Sequence, residues 1–466
     1  MDNALQPVFD FRPVYSDPLN SLDPFIPEVW AQESLIMLEN QLVVSNLIHR
    51  NFDNEIASYG DVVNTRRPAH FVAKRKADRD DVTVQAASAT NVPVNLNMWP
   101  HVSFVIGDGE QSKGFVNLRD TYLTPAIYAM ANTIDQTIMG QMYSYLANCV
   151  GQLGTDPTRS TLTSLKATMS NNQVPAMGRS LVVNPDAEAA LLNVENLVNA
   201  NTKGDDGSAL REGHLGRILG TDIYMSQNAP SIATGNTTVS GAVNLGAGYV
   251  VGTTVIVIDG HSEDLTAGSW CTIAGDMTPQ KITAVSGSPT TSITISPGLR
   301  NAVVDDAVVT IYTPGAVNLV AGYDQYYSKE MVIDGFSVAP KDGQLVSLGT
   351  GSHIVYNYSA LPTATTTALL LNRDLQADAA NDTVVGIGPS GGYNFAFHHD
   401  CLGLITRPVQ SPDPGTGAKS YVAQANGLGL RVTITYEGRS QGHLVTIDVL
   451  AGVAVFNADL GCVLLS

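Results

Sequence analysis

Gly241–Tyr249 reads G-A-V-N-L-G-A-G-Y and Gly315–Tyr323 reads G-A-V-N-L-V-A-G-Y, so eight of nine residues recur 74 positions apart. The echo runs on: Val257-Ile258-Asp259-Gly260 returns as Val332-Ile333-Asp334-Gly335, Thr290-Thr291 as Thr366-Thr367, Leu299 as Leu375 and Val308-Val309 as Val384-Val385. The offset drifts from 74 to 76, which implies two one-residue insertions between copies of a unit of about 75 residues, the length of a small β-domain. From about Ser231 to Gly392 the chain is rich in Gly, Thr, Ser and Val, and helical spacing vanishes. Short alternating strands with Gly- or Pro-marked turns take over, which is an all-β signature. Two tandem barrel-like repeats, 231–314 and 315–392, are expected.

On either side the texture is mixed. Residues 151–230 hold the strand Ser180–Val183, a helix begun by Asn184-Pro185, a Gly/Asp loop at Thr202–Gly207, and strand character again over Leu215–Met225. After the repeats, Asn394–Thr406 reads as an apolar strand or short helix, Leu428–Tyr436 and Leu444–Leu450 as a hairpin around Glu437–Gly442, and two short strands end the chain. The fold class is therefore α+β: one mixed domain (151–230, resumed at 393–415, with C-terminal strands over 416–466) cut in two by an all-β insertion.

The N-terminal part supplies long elements. Residues 1–26 read as an extended arm rich in Pro, Asp and Asn; Pro27 opens an amphipathic helix over about 27–45, within a region 27–57. Thr124-Pro125 is read as a cap and first helical residue, followed by Ala126, Ile127, Met130, Ala131, Ile134, Ile138, Met142 and Leu146 at helical spacing. A spine helix of about 23 residues within 117–150 would be roughly 35 Å long. Between these helices, Gly60–Thr65 and Val92–Asp108 are expected as the two strands of an extended hairpin, a finger over 58–116. A strand of the second length would reach roughly 50 Å, against a usual reach of about 10–34 Å. Such a finger cannot bury both faces on its own domain and is expected to lie on a neighbouring copy.

Bulk properties narrow the function. With 466 residues, 44% hydrophobic and 15% charged, the chain can build several cores. Its formal net charge of −18 disfavours a dedicated nucleic-acid binder. Cys149, Cys271, Cys401 and Cys462 are widely spaced and read as buried free thiols rather than a zinc site or disulfide framework. Met1–Phe11 is polar and acidic, unlike a signal peptide, and no stretch reaches the roughly 18 apolar residues of a membrane span. No cofactor is expected.

Charge is patterned in one place. Arg66, Arg67, Lys74, Arg75, Lys76 and Arg79 fall within 14 positions that hold one acid, Asp78. A basic finger on an acidic protein complements its own neighbours, and intersubunit docking is the expected role. A solvated loop and phosphate contact with enclosed nucleic acid are the other readings of the same charge. Catalytic signatures are weak. Gly388-Pro389-Ser390-Gly391-Gly392 has the spacing of a nucleophile elbow, but Pro precedes the Ser and no helix follows in the pattern. His398-His399-Asp400-Cys401, taken as strand, would put His398 and Asp400 on one face, and the sequence shows no second cluster to complete a metal site. Asp259, Glu263 and Asp264 lack a calcium-loop pattern and read as a turn cluster.

The order of these pieces resembles the major capsid (coat) proteins of tailed bacteriophages. Gly60-Asp61-Val62-Val63 opens the finger and Tyr122-Leu123-Thr124-Pro125-Ala126 the long helix; Ser180-Leu181-Val182-Val183-Asn184-Pro185 and Gly216-Arg217-Ile218-Leu219-Gly220 follow. Phe395–Cys401, closed by Arg407-Pro408, and Ile447–Gly452 are similar to segments of the subgroup that carries an inserted β-domain. The resemblance implies a peripheral domain (long helix, finger, C-terminal strands) and an axial domain. It implies hexamers and pentamers closing an icosahedral shell around double-stranded DNA, with no enzymatic role and the virion as its location. It further implies assembly in the host cytoplasm on a separate scaffolding protein and a portal, with room for a cement or decoration protein. The DNA inside would be touched only non-specifically. The cleavable N-terminal scaffold of some relatives is expected to be absent, since the finger starts near residue 60. Relatives usually carry one inserted barrel, where this chain has two copies. The competing reading, a β-repeat surface or adhesive protein, accounts for 231–392 but not for the mixed frame.

Overall fold

The computed structural model describes residues 27–50, 62–67, 73–76, 78, 81, 84–85, 90–107, 122–199, 211–232, 237–262, 264–313, 317–325, 331–335, 345–349, 354–356, 366–369, 371, 375, 377–413, 417–425, 427–439 and 441–466. The expected N-terminal arm and the Thr202–Gly207 loop lie outside them.

The spine helix spans Thr124–Gly140 and tightens into a 3-10 turn over Gln141–Tyr145, so helical backbone covers most of the expected length. Its apolar stripe is buried as the spacing required: Ile127, Met130, Ile134, Ile138 and Met142 are each at most 1% exposed. The cap differs from expectation. Leu123 occupies the N-cap position with no side-chain cap bond, and the Thr124 hydroxyl instead faces the Met37 sulfur at 3.9 Å. A first helix, Pro27–Gln41, lies against the spine helix and the C-terminal strands. It stops four residues short of the expected end, because the loop after it turns back onto the spine. There Asp135, 1% exposed, accepts bonds from the amides of Val43 (2.9 Å), Val44 (3.3 Å) and Ser45 (3.1 Å) and from the Ser45 hydroxyl (2.7 Å).

The C-terminal hairpin forms as read, with Leu428–Glu437 paired to Gly442–Asp448 and Glu437 opposite Gly442. It is extended on one side by Lys419–Ala425 and on the other by His101–Gly107, giving a four-stranded antiparallel sheet. The long strand expected over Val92–Asp108 is therefore two strands. Thr90–Asn95 pairs with Val62–Arg67; Met98 then bridges Ala451; His101–Gly107 joins the C-terminal sheet. The break spans 96–100, and Pro100, just before the second strand, has no N–H to give a ladder.

A second, mixed sheet joins distant parts of the chain in the order 149–151, 461–465, 391–398, 179–183, 221–225, 217–218, with 231–232 pairing 391–392. Strand Gly391–His398 alternates its faces. Tyr393, Phe395 and Phe397 turn toward the spine, where Tyr145 packs on Phe395 with ring centroids 4.9 Å apart. Ala396 turns to the opposite face, among Leu162, Leu165, Leu181 and Leu191 of the covering helices and strands. The helix after Asn184 forms with Asn184 as its cap, accepting the Ala187 amide at 2.8 Å, and ends at Leu192; Leu197 belongs to a separate short turn.

The repeats leave and rejoin this sheet at neighbouring strands, for Ser231-Ile232 is hydrogen-bonded to Gly391-Gly392. The first copy is a closed six-stranded barrel over 237–313 with its own core of Ile256, Ile258, Ile273, Ile282, Ile293 and Ile311. In the second, the described strands form two three-stranded sheets that repeat four of the barrel's pairings, and a single bridge, Asn318 to Val384, stands for a fifth. The likeness extends to detail: the Tyr249 hydroxyl accepts the Val257 amide and the Tyr323 hydroxyl the Val332 amide, both at 2.8 Å. Asp306 and Asp382 occupy the same left-handed turn position, with φ of 58° and 62°. The second copy's core, with Leu319, Met331, Ile333 and Val346, is continuous with that of the mixed domain.

Candidate assembly surface

The finger has a root fixed on its own chain. Val62–Arg67 and Thr90–Asn95 pair in register from Val62 with Asn95 to Arg67 with Thr90. Val63 (7% exposed) and Val94 (0%) point to one side, where with Leu96 and Ile405 they form a small core flanked by Leu450, Ala454 and Phe456. The root thus rests on the two-stranded ribbon Leu402–Arg407/Leu450–Val455 of its own chain. The finger is expected not to bury both faces on its own domain, and its root buries one, that of Val63 and Val94. The physical reason is a contact between residues far apart in sequence: burying each Val contributes roughly 1.5–3 kcal/mol, enough to hold the root at home.

A buried ion pair braces the same region. Arg431 and Asp448 are cross-strand partners whose side chains are 14% and 4% exposed. The Arg431 Nε donates to Asp448 Oδ1 at 3.0 Å, a second guanidinium nitrogen grips Oδ2, and the Trp99 indole N–H donates to Oδ2 at 3.3 Å. Sequence reasoning passed over this pair, though the hairpin register around Glu437–Gly442 places 431 opposite 448 and could have found it.

Beyond the root the expected basic residues separate into three groups. Arg66 and Arg67 occupy the outer end of the first strand, opposite Asn91 and Thr90. Lys74, Arg75 and Lys76 are exposed, as are Ala73, Asp78 and Asp81, and Val84 is 89% exposed. Arg79 lies outside the described residues. Among the described tip residues none is buried, so the segment displays its cations to whatever lies beyond the molecule.

The other candidate residues fall elsewhere. Ser390 ends a turn that leads into strand Gly391–His398, so the strand–turn–helix of a nucleophile elbow is not formed. His398–Cys401 is not a strand: His399–Cys401 is a 3-10 turn between strands 391–398 and 402–407. This overturns the alternating-face reading; the turn buries Cys401 and leaves His399 and Asp400 at the surface. The hydrogen bond from His399 and the neighbouring imidazoles hold the Asp400 carboxyl below its ordinary range. All four cysteines are unpaired and buried; burial pushes the Cys271 thiol up to about 12. Asp264 accepts from the Ser288 hydroxyl at 3.0 Å, Asp259 pairs opposite Ala242, and Glu263 is outside the described residues. No helix among the described residues is long and apolar enough to cross a membrane.

No protein-family model matches the chain, and no curated protein matches it. Among solved structures, one titled for Mycobacterium phage Che8 is 14% identical at a TM-score of 0.42, covering 91% of this chain and 90% of that one. The capsid structure of cyanophage P-SCSP1u is 12% identical at a TM-score of 0.41, covering 91% and 88%. A virus-like particle from Pyrococcus furiosus is 11% identical at 0.28, covering 60% of this chain and 97% of that one. Likenesses of this size leave function to the chain's own geometry.

Proposed function

We propose that this protein is a structural shell subunit, the major capsid protein of a tailed bacteriophage, that self-associates into hexamers and pentamers around packaged DNA. The observation that carries the reading is the finger: its root is anchored in its own molecule while a run of cations stands exposed at its tip, on a chain with a net charge of −18. A subunit that must tile a surface needs large interfaces with its neighbours, and exposed cations on an acidic chain suit one. The order of sequence segments that resembles the coat-protein family supports the same reading, with the tandem β-units as an insertion in the axial domain. On this reading the subunit assembles in the host cytoplasm with a scaffolding protein and a portal, and the inserted units are where a decoration protein would find surface.

Electron microscopy of the purified full-length protein across a concentration series tests the proposal. Rings of capsomer size or closed shells are expected. Dispersed monomers at every concentration, with the chain folded, would contradict it.

A further inference from the structure

The turn after strand Gly391–His398 meets a segment that the sequence keeps far away. His49, in the loop after the first helix, is bridged to Gly403, and its carbonyl accepts the Leu404 amide at 3.0 Å. This brings its ring edge-on to His399, with centroids 5.4 Å apart. His399 Nδ1 is 3.1 Å and His49 Nδ1 3.8 Å from Asp400 Oδ1. The candidate donor atoms of His49, His399 and Asp400 all lie within 4.8 Å of one another. We propose that these three side chains bind one divalent transition-metal ion of the zinc type.

Three features support this. Around tetrahedral zinc, with bonds of about 2.0–2.1 Å, ligand atoms stand roughly 3.3 Å apart, and the two separations to Asp400 fall on either side of that value. Two imidazoles and one carboxylate suit zinc and its neighbours rather than magnesium or calcium, which prefer oxygen alone. The ligands are also held from behind. The His399 amide donates to Gly178 O at 3.2 Å and the Asp400 amide donates to His398 Nδ1 at 3.3 Å, which fixes the turn that carries both ligands. The side chains of His49, His399 and Asp400 are 31%, 47% and 61% exposed, so an ion can enter from solvent and keep water as its remaining ligand. Bound there, it would tie the loop after the first helix to the strand where the chain returns from the β-units.

The test uses the full-length protein after chelation, titrated with Zn2+ by calorimetry and with Co2+ by visible absorption. One ion per chain is expected, with Co2+ giving the intense bands of a low-coordinate site. His49→Ala, His399→Ala and Asp400→Asn should each weaken binding at least about ten-fold, whereas His443→Ala, away from the cluster, should not. Circular dichroism of each variant checks that it is folded. No saturable binding to the wild type, or equal binding by wild type and the His49→Ala/His399→Ala double variant, would overturn the site and show the cluster to be an imidazole–carboxylate network only. Either result leaves the shell reading untouched.

Discussion

At the scale of single residues the molecule depends on a few buried polar groups whose partners are all supplied by protein. Asp135 is the clearest. Its two oxygens take four hydrogen bonds from the 43–45 segment, and removing them leaves three amides and a hydroxyl to find water in a dry place. Asp135→Ala should cost about 3 kcal/mol or more in urea unfolding, and Ser45→Ala about 1, since it removes one donor only. Lys281 gives a pH signature. It is 7% exposed in the barrel, and burial brings its ammonium down to about 8 from 10.5. Between those values the unfolded chain holds the extra proton, so barrel stability should rise as pH climbs through the window. Below it the full penalty applies, at most about 3 kcal/mol. Lys281→Met should raise stability at neutral pH and flatten that rise; an unchanged slope in pH-dependent denaturation would show that burial of Lys281 does not set it. Neither residue could be picked out from sequence: a lone Asp on a helix and a lone Lys on a strand look solvated until the contact is seen.

At the scale of elements, the described strands of the second repeat keep four of the first repeat's pairings, but the two cores differ. The first closes into a barrel around its own isoleucines, while the second merges its core with the mixed domain through Leu319, Met331 and Val346. A fragment spanning 237–313 should therefore unfold cooperatively on its own, and one spanning 317–387 should not, as read by heat scans followed with circular dichroism. Trp270 couples the barrel to its surroundings: its ring lies 5.0 Å from Tyr143, and its N–H donates to Ser347 Oγ at 3.4 Å. Much of this layout was legible in the chain. The repeat, the spine-helix stripe and the hairpin around 437–442 follow from period, and period is local. What was not legible is where strands change partner. The finger strand passes from the nearby partner 62–67 to the distant partner 442–448 across residues 96–100, and 399–401 winds into a turn between strands 391–398 and 402–407, neither of which a local period can show. For the candidate surface, charge revealed the basic run, but nothing in the local pattern revealed that Val63 and Val94 would bury against Ile405.

At the scale of the whole molecule, a chain of net charge −18 exposes the cations Lys74, Arg75 and Lys76 among the described residues of its finger. Reversing Arg66, Arg67 and Arg75 to Glu should block assembly and leave folded monomer, measured by light scattering alongside circular dichroism. Wild-type assembly should weaken as salt rises, since exposed charges more than about 8 Å apart are screened at physiological ionic strength. The proposed function requires the tip to land on another copy. Its most direct measurement mixes isotopically heavy and light protein before assembly, cross-links lysines, and reads by mass spectrometry which copies Lys74 and Lys76 reach. Mixed heavy–light pairs are expected at these two lysines; pairs confined to one isotope, as of a tip folded onto its own chain, would rule out docking on another copy.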